Sequence, residues 1–272
     1  MTHNLLTLAA IIVLLLNPFR PVFAGTSDEV TTKPSVEIVT KILEAGVPAE
    51  SLQRVLKFLD ENEGRDQLQT IYTCKDQDPV SVKPCTESHR TPALKAIRVV
   101  RTRYAVVIDF GKPSTQQRLF LIDLLTGTVE KHLTTHGRGS GEGRWAYKFS
   151  NTKDSKQSSL GLYQTGEIYR GDHGKTLRLY GLEKSNDQAY VRDIVVHAAD
   201  YAKEGFISKV NPETGKPYGR LGLSFGCPAV DPDLQTRFLE LLKEGTLVDI
   251  YHPLLMEEAV SGAPVETPEP ID

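Results

Sequence analysis

The sequence predicts a mainly β domain, entered through a small helical hairpin and carrying one helix close to its end. Three observations carry that reading. From Ala96 the chain alternates apolar and polar residues with a period of two. Two later segments, 194–196 and 246–251, are short and largely apolar, as buried strands are. Residues 137–181 hold nine glycines among many Ser, Thr and Asn, which suits long loops over a sheet better than a helical layer. With 272 residues, 39% hydrophobic and 25% charged, the chain can bury a core, which excludes wholesale disorder, a collagen and a polytopic membrane protein. A formal charge of -3 gives no global positive field, so nucleic acid is not an expected partner.

The elements follow in chain order. Residues 1–24 read as a secretory signal peptide: Leu5 to Leu16 is apolar but for one Thr, too short to span a bilayer, and Val22 and Ala24 suit signal peptidase, although Met1 to Asn4 has no Lys or Arg. Export to the periplasm or cell wall follows. No membrane anchor is expected after cleavage, because no Cys lies near the cleavage point to take a lipid. A polar linker, 25–34, leads to the hairpin, 35–62. Val36, Val39 and Leu43 share its first face, and Leu52, Val55, Leu56 and Leu59 the second, with Pro48 near the start of the second helix where a missing N–H costs nothing. Residues 63–95 mix charge, Pro and two cysteines with little periodicity, and are expected to form an irregular connection held by a disulfide.

The main body, 96–256, begins with strands at Ile97–Val99, Tyr104–Phe110, Arg118–Asp123 and Thr128–Leu133, with turns at Gly111–Ser114 and Asp123–Gly127. Asp231-Pro232 opens a helix whose Leu234, Phe238, Leu241 and Leu242 face inward until Gly245 stops it. The tail, 257–272, has five carboxylates, three prolines and no basic residue, and is expected to be disordered.

Of the three cysteines, Cys74 and Cys85 can close a short loop in an oxidising compartment, which leaves Cys227 without a partner. A lone Cys is often only a small buried hydrophobe, but the neighbours of Cys227 suggest chemistry. His197 ends an apolar strand, and thirty residues later Ser224-Phe225-Gly226-Cys227-Pro228 presents a thiol between Gly and Pro. Thiol and imidazole suffice for acyl transfer: the imidazole either takes the thiol proton or stabilises the thiolate as an ion pair. Gly226 permits close backbone approach, and since Pro228 has no N–H, an oxyanion hole here draws on the N–H groups of Cys227, Gly226 or Phe225, or on another loop.

On these residues the chain resembles the L,D-transpeptidases with a YkuD-type catalytic domain, in particular the murein L,D-transpeptidase catalytic domain branch. The likeness runs from about Ala96 to Tyr251. It rests on Val196-His197-Ala198-Ala199-Asp200-Tyr201, on Gly222-Leu223-Ser224-Phe225-Gly226-Cys227-Pro228-Ala229-Val230, and on the upstream blocks Phe149-Ser150-Asn151 and Ser158-Ser159-Leu160-Gly161. The chain departs from the commonest family pattern at Ala198 (Gly), Phe225 (His), Pro228 (a branched apolar residue) and Ala229 (Arg). The resemblance implies an L,D-transpeptidase-type β-sandwich and a thioester acyl-enzyme on Cys227. His197 is then general base and acid, and the Ala198 carbonyl orients its imidazole, with Asp200 the side-chain alternative. The Gly226 N–H is expected in the oxyanion hole.

Substrate-binding candidates are Ser224, His173, Arg220, Tyr163, Ser159 and Gly161, with Arg178, Arg192 and Arg220 the candidates for holding substrate carboxylates. The implied partners are peptidoglycan stem peptides, the implied covalent inhibitors carbapenems, and no cofactor is required. A monomer is expected. Water as acceptor would make the protein an L,D-carboxypeptidase, and a peptide bond as donor an endopeptidase. Two rival classes are a silent wall-binding module and a zinc hydrolase on His132, His136 or His173. On a strand end His132 and His136 would stand about 13 Å apart, too far to share an ion. Trp145 and Tyr163 suit packing better than stacking platforms.

Overall fold

The computed structural model describes residues 33–75, 77, 82–242, 244–259 and 261–270. The expected signal peptide (1–24) and most of the linker (25–34) lie outside the described residues. Helix α1, Val36–Glu44, starts where the Ser35 hydroxyl accepts from the Ile38 N–H at 3.3 Å. Gly46 takes a positive φ of 84°, the chain reverses, and α2, Ala49–Asn62, follows Pro48. The hairpin buries Ile42, Val47, Leu52, Val55 and Leu59 against the main sheet, at roughly 1.5–3 kcal/mol for each large side chain removed from water.

Strands β1, Asp66–Cys74, and β2, Arg90–Arg98, then form an antiparallel ribbon in register from Asp66↔Arg98 to Cys74↔Arg90. The stretch read from sequence as irregular is thus a ribbon with a loop between its strands. Most of its side chains are at least partly exposed, so ladder hydrogen bonds and cross-strand pairs hold it and no apolar alternation marks it. Cys74 and Cys85 are disulfide-bonded at its loop end, Cα–Cα 6.0 Å.

The expected mainly β architecture is present as one mixed sheet of eight strands. The strands are β3 (Tyr104–Asp109), β4 (Leu119–Asp123), β5 (Val129–His132), β7 (Gly161–Gly171), β8 (Gly174–Gly181), β9 (Val195–Ala198), β10 (Ala229–Val230) and β11 (Leu247–Tyr251), in the order β10-β9-β8-β7-β11-β3-β4-β5. The pairs β9–β10 and β3–β11 are parallel, the others antiparallel. Just past β5, the Thr134 hydroxyl and Thr135 N–H both donate to the Ala229 carbonyl of β10 (2.9 and 3.2 Å), so the sheet curls until its two edges meet. Inside the curl, Val106, Ile108, Leu121, Leu177, Leu179, Val196 and Val248 enclose Phe238, Leu239 and Leu242 of α4, Gln235–Leu242. The Asp231 carboxylate caps the turn leading into α4 by accepting from the Asp233 N–H at 2.9 Å. A one-turn helix, α3 (Gly205–Ser208), lies in the excursion between β9 and the thiol loop.

Two further sequence expectations are corrected. Within 137–181, residues 161–181 are not loops but the long β7–β8 hairpin in the middle of the sheet. Its glycines serve close packing: a Cβ on Gly166 would stand 2.4 Å from the Tyr180 ring. The acidic tail docks too. Helix α5, Met256–Ala259, buries both of its end residues, and β12, Val265–Glu266, pairs antiparallel with β6, Lys148–Phe149. Ala259 is buried in the core and Val265 packs partly buried against it, anchoring a tail whose composition alone suggests disorder. Truncation after Glu258 is therefore expected to lower stability by about 1–2 kcal/mol through the lost ladder bonds and buried Ala259; an unchanged urea midpoint would show the docking to be idle. Among the described residues no helix is long and apolar enough to cross a membrane.

Candidate active site

Parallel pairing of β9 with β10 sets Ala229 beside His197 and Val230 beside Ala198, which brings the strand-end imidazole and the thiol loop to one place. The His197 Nδ1 lies 3.1 Å from the Ala198 carbonyl. A carbonyl only accepts, so Nδ1 carries the proton and Nε2 is left as the acceptor. Asp200, the alternative orienting group, is turned away: its side chain is 91% exposed and pairs with Lys203. His173, on the β7–β8 turn, stacks on His197 with ring centroids 4.3 Å apart.

The Cys227 thiol is half-buried, with Sγ 3.7 Å from the Asp193 carbonyl. Burial pushes it up to about 11, against the pull of the Val195 N–H and of Arg192 and Arg178. Burial likewise pushes His197 down to about 4. At neutral pH the pair is therefore thiol and neutral imidazole, and of the two arrangements open from sequence this favours proton transfer over a preformed ion pair. Among the described residues no hydrogen bond joins the two side chains.

The Ser224 hydroxyl donates to the Cys227 carbonyl at 2.6 Å and accepts from the Gly226 N–H at 3.1 Å. Ser224 is thus a strut of the loop, and the Gly226 N–H expected to face an oxyanion is already engaged. The N–H groups of Cys227 and Phe225 have no intramolecular acceptor among the described residues. Gly226 is needed for its own loop: φ is +121° and a Cβ would lie 2.8 Å from the Gln157 carbonyl. Three further candidates sit in the fold's interior. Tyr163 is fully buried with its hydroxyl on Ser159 (2.6 Å to Oγ), and Ser159 is itself 2% exposed. A Cβ on Gly161 would strike Glu183, Ser185 and Asn186, so that glycine is there for packing. Arg220 turns to the Leu221 carbonyl (2.8 Å) and the Tyr218 ring, and His136 is buried against Arg118.

Sequence reasoning missed Asp193. It holds a positive φ of 56°, which Asp tolerates better than most residues. Its carboxylate accepts from Arg90 (2.6 Å), from the fully buried Arg178 (3.0 Å) and, closely, from the Tyr72 hydroxyl. Donors from β1, β2 and β8 thus fix the residue whose carbonyl meets the thiol. No local sequence signal could have shown this, because the donors lie from 15 to 121 residues away. Asp193→Ala leaves Arg178 buried without its counter-charge and is expected to cost about 3–5 kcal/mol by chemical denaturation.

Acid should also destabilise the fold. His197 and His252, both pushed down to about 4 by burial, and His136, held well below its ordinary value by burial, take up protons near 6.5 only when unfolded. Between those values the unfolded chain binds more protons, so stability falls as pH drops. Buried Asp249, raised to about 6, opposes them, since folded it regains its proton first. His132, also lowered by burial, adds to the loss and Asp109, also raised by burial, to the opposition, so four groups against two leave a net loss from about pH 6.5 towards 4, of about 1.4 kcal/mol per pH unit for each net proton. A urea midpoint that rose between pH 7.5 and 5 would contradict this.

The family model of the L,D-transpeptidase catalytic domain matches residues 86–251. The chain belongs to the L,D-transpeptidase catalytic domain family. Among solved structures it is similar to an L,D-transpeptidase from Mycobacterium smegmatis (12% identity, 59% of this chain and 66% of that one, TM-score 0.32). It is also similar to a Bdellovibrio bacteriovorus protein (15% identity, 55% and 48%, TM-score 0.31). A third is the L,D-transpeptidase of Xylanimonas cellulosilytica (13%, 80% and 95%, TM-score 0.30). The chain spans less than two thirds of the first two of these. A comparison with curated proteins found no match.

Proposed function

We propose that this chain is an exported cysteine L,D-transpeptidase that cross-links peptidoglycan stem peptides. The observation that supports it most is the β9–β10 pairing, which sets a thiol loop beside an imidazole whose Nδ1 is anchored on the Ala198 carbonyl, within an L,D-transpeptidase domain. Cys227 attacks the carbonyl of the diamino acid in a tetrapeptide stem while His197 Nε2 takes the thiol proton. The C–N bond to the terminal D-alanine breaks, His197 returns the proton to the leaving amine, and a thioester remains. The side-chain amine of a second stem then attacks the thioester, loses its proton to His197, and frees the thiol. The developing oxyanion is met by the N–H groups of Cys227 and Phe225 rather than that of Gly226. His173 covers the outer face of His197 and keeps its ring in place. The mechanism calls on no cofactor.

Export is supported by the apolar segment at 5–16 and by the Cys74–Cys85 disulfide, which suits an oxidising compartment. Mass spectrometry of muropeptides incubated with the protein tests the reading. Free D-alanine together with peptide dimers supports transpeptidation, D-alanine without dimers points to carboxypeptidase action, and binding without turnover overturns the enzyme assignment.

A further inference from the structure

A cavity of about 240 Å³ lies between Phe225 of the thiol loop, Arg192, the 150–158 loop and the disulfide-held ribbon, and is joined to the thiol through its lining residue Asp193, whose carbonyl is 3.7 Å from the Cys227 Sγ. Its charges are unequal in their partners. Arg90 shares the Asp193 carboxylate, at 2.6 Å, with Arg178, and Lys153 forms a close ion pair with Glu87. Arg192 is bound only to neutral groups: the Ser150 and Gln157 carbonyls (2.9 and 2.6 Å) and the Ser159 and Ser155 hydroxyls (3.2 and 3.5 Å). Lys156 stands over the Phe225 ring, 5.2 Å from its centroid, with no ion pair among the described residues. Asp154, on the same wall, is near enough to act on the Arg192 charge but makes no ion pair with it among the described residues. A half-buried guanidinium without a paired carboxylate is costly to keep unless an anion arrives. The Nη2 of Arg192 would lie only 3.4 Å from a Cβ on Gly226, next to the nucleophile.

We propose that this cavity is an anion subsite that takes a free carboxylate on the acyl portion of the donor stem peptide, with Arg192 and Lys156 as its cationic side. The proposal rests on the thioester reading above and adds a direction to it. Along β9 the thiol stands between Asp193, before the strand, and His197, near its end. The leaving amine needs the proton of His197 and so lies on that side. The part of the donor retained on sulfur extends the other way, into the cavity, and the carboxylates it carries meet Arg192 and Lys156 there. This answers which arginine faces substrate: Arg178 is enclosed on Asp193 and Arg220 is turned away, whereas Arg192 lines the space. The ribbon supplies the opposite wall, pinned where the Arg90 Nε donates to the Cys85 carbonyl at 2.9 Å.

The test is titration calorimetry on the full-length Cys227→Ala protein with N-acetyl-L-alanyl-γ-D-glutamyl-diaminopimelate, and with the same peptide amidated at the glutamyl carboxylate, at the diaminopimelate carboxylates, or at all of them. Full amidation is expected to weaken binding at least tenfold, and the singly amidated arms identify which carboxylate is held. Lys156→Glu, on an exposed loop, is expected to weaken the acid form about tenfold while the fully amidated form binds it and its parent equally. Equal affinity of acid and amide forms for the parent would overturn the subsite, even if Cys227-dependent D-alanine release stands. Selective binding of the acid form without any such release would retain the subsite and overturn the transpeptidase reading instead.

Discussion

Cys227→Ala is expected to abolish D-alanine release from a tetrapeptide stem, a loss of about 10³-fold or more, while the protein stays folded. The alternative route for attack, direct hydrolysis by water at the same site, lacks the covalent intermediate that divides the barrier in two. The side chain is half-buried at the rim of the main core, so its truncation leaves no large cavity. Cys227→Ser should not restore turnover, because a hydroxyl with a far higher pKa than a thiol gives up its proton to a weakly basic imidazole less readily still.

His197→Ala is expected to reduce release by about 10²–10⁴-fold through loss of the general base and acid. Its effect on the thiol should be small. Burial pushes Cys227 up to about 11 and His197 down to about 4, so at pH 7 the resting pair is protonated thiol and uncharged imidazole. Alkylation by iodoacetamide should therefore climb steadily with pH through the neutral range in the wild type and in His197→Ala alike. A reactivity plateau between pH 5 and 8 that vanishes in the mutant would restore the ion-pair arrangement. Acylation in this account waits for substrate, whose arrival brings the thiol proton to Nε2.

The fold was legible where burial leaves a local trace. The two helices, β3, β4, β9 and β11 each announce themselves by apolar residues, and Asp231-Pro232 by the chemistry of a cap. The ribbon and the docked tail were not, since both are held by backbone pairing to distant partners with few buried side chains of their own. The β7–β8 hairpin was hidden by glycines whose role is to admit Tyr180 and the Asn186 loop, contacts that exist only in the folded chain. Of the proposed site, Cys227, His197 and the Ala198 carbonyl are suggested by short motifs with a mechanical meaning. The motif neighbours were harder: Ser224, Ser159, Gly161 and Tyr163 lie near the thiol in sequence or family pattern, yet the structure engages each in holding a loop or filling the core. Asp193 and the charges of the cavity emerge only when β1, β2 and β8 converge on the thiol loop.

The central claim is that Cys227 carries the acyl group. Intact-mass and peptide-level mass spectrometry of the protein mixed rapidly with a tetrapeptide stem tests it directly. An adduct equal to the stem less its terminal D-alanine is expected, located on the peptide containing Cys227, absent from Cys227→Ala and discharged on adding an amine acceptor. Release of D-alanine at an undiminished rate by Cys227→Ala, or an adduct mapped to any other residue, would contradict it.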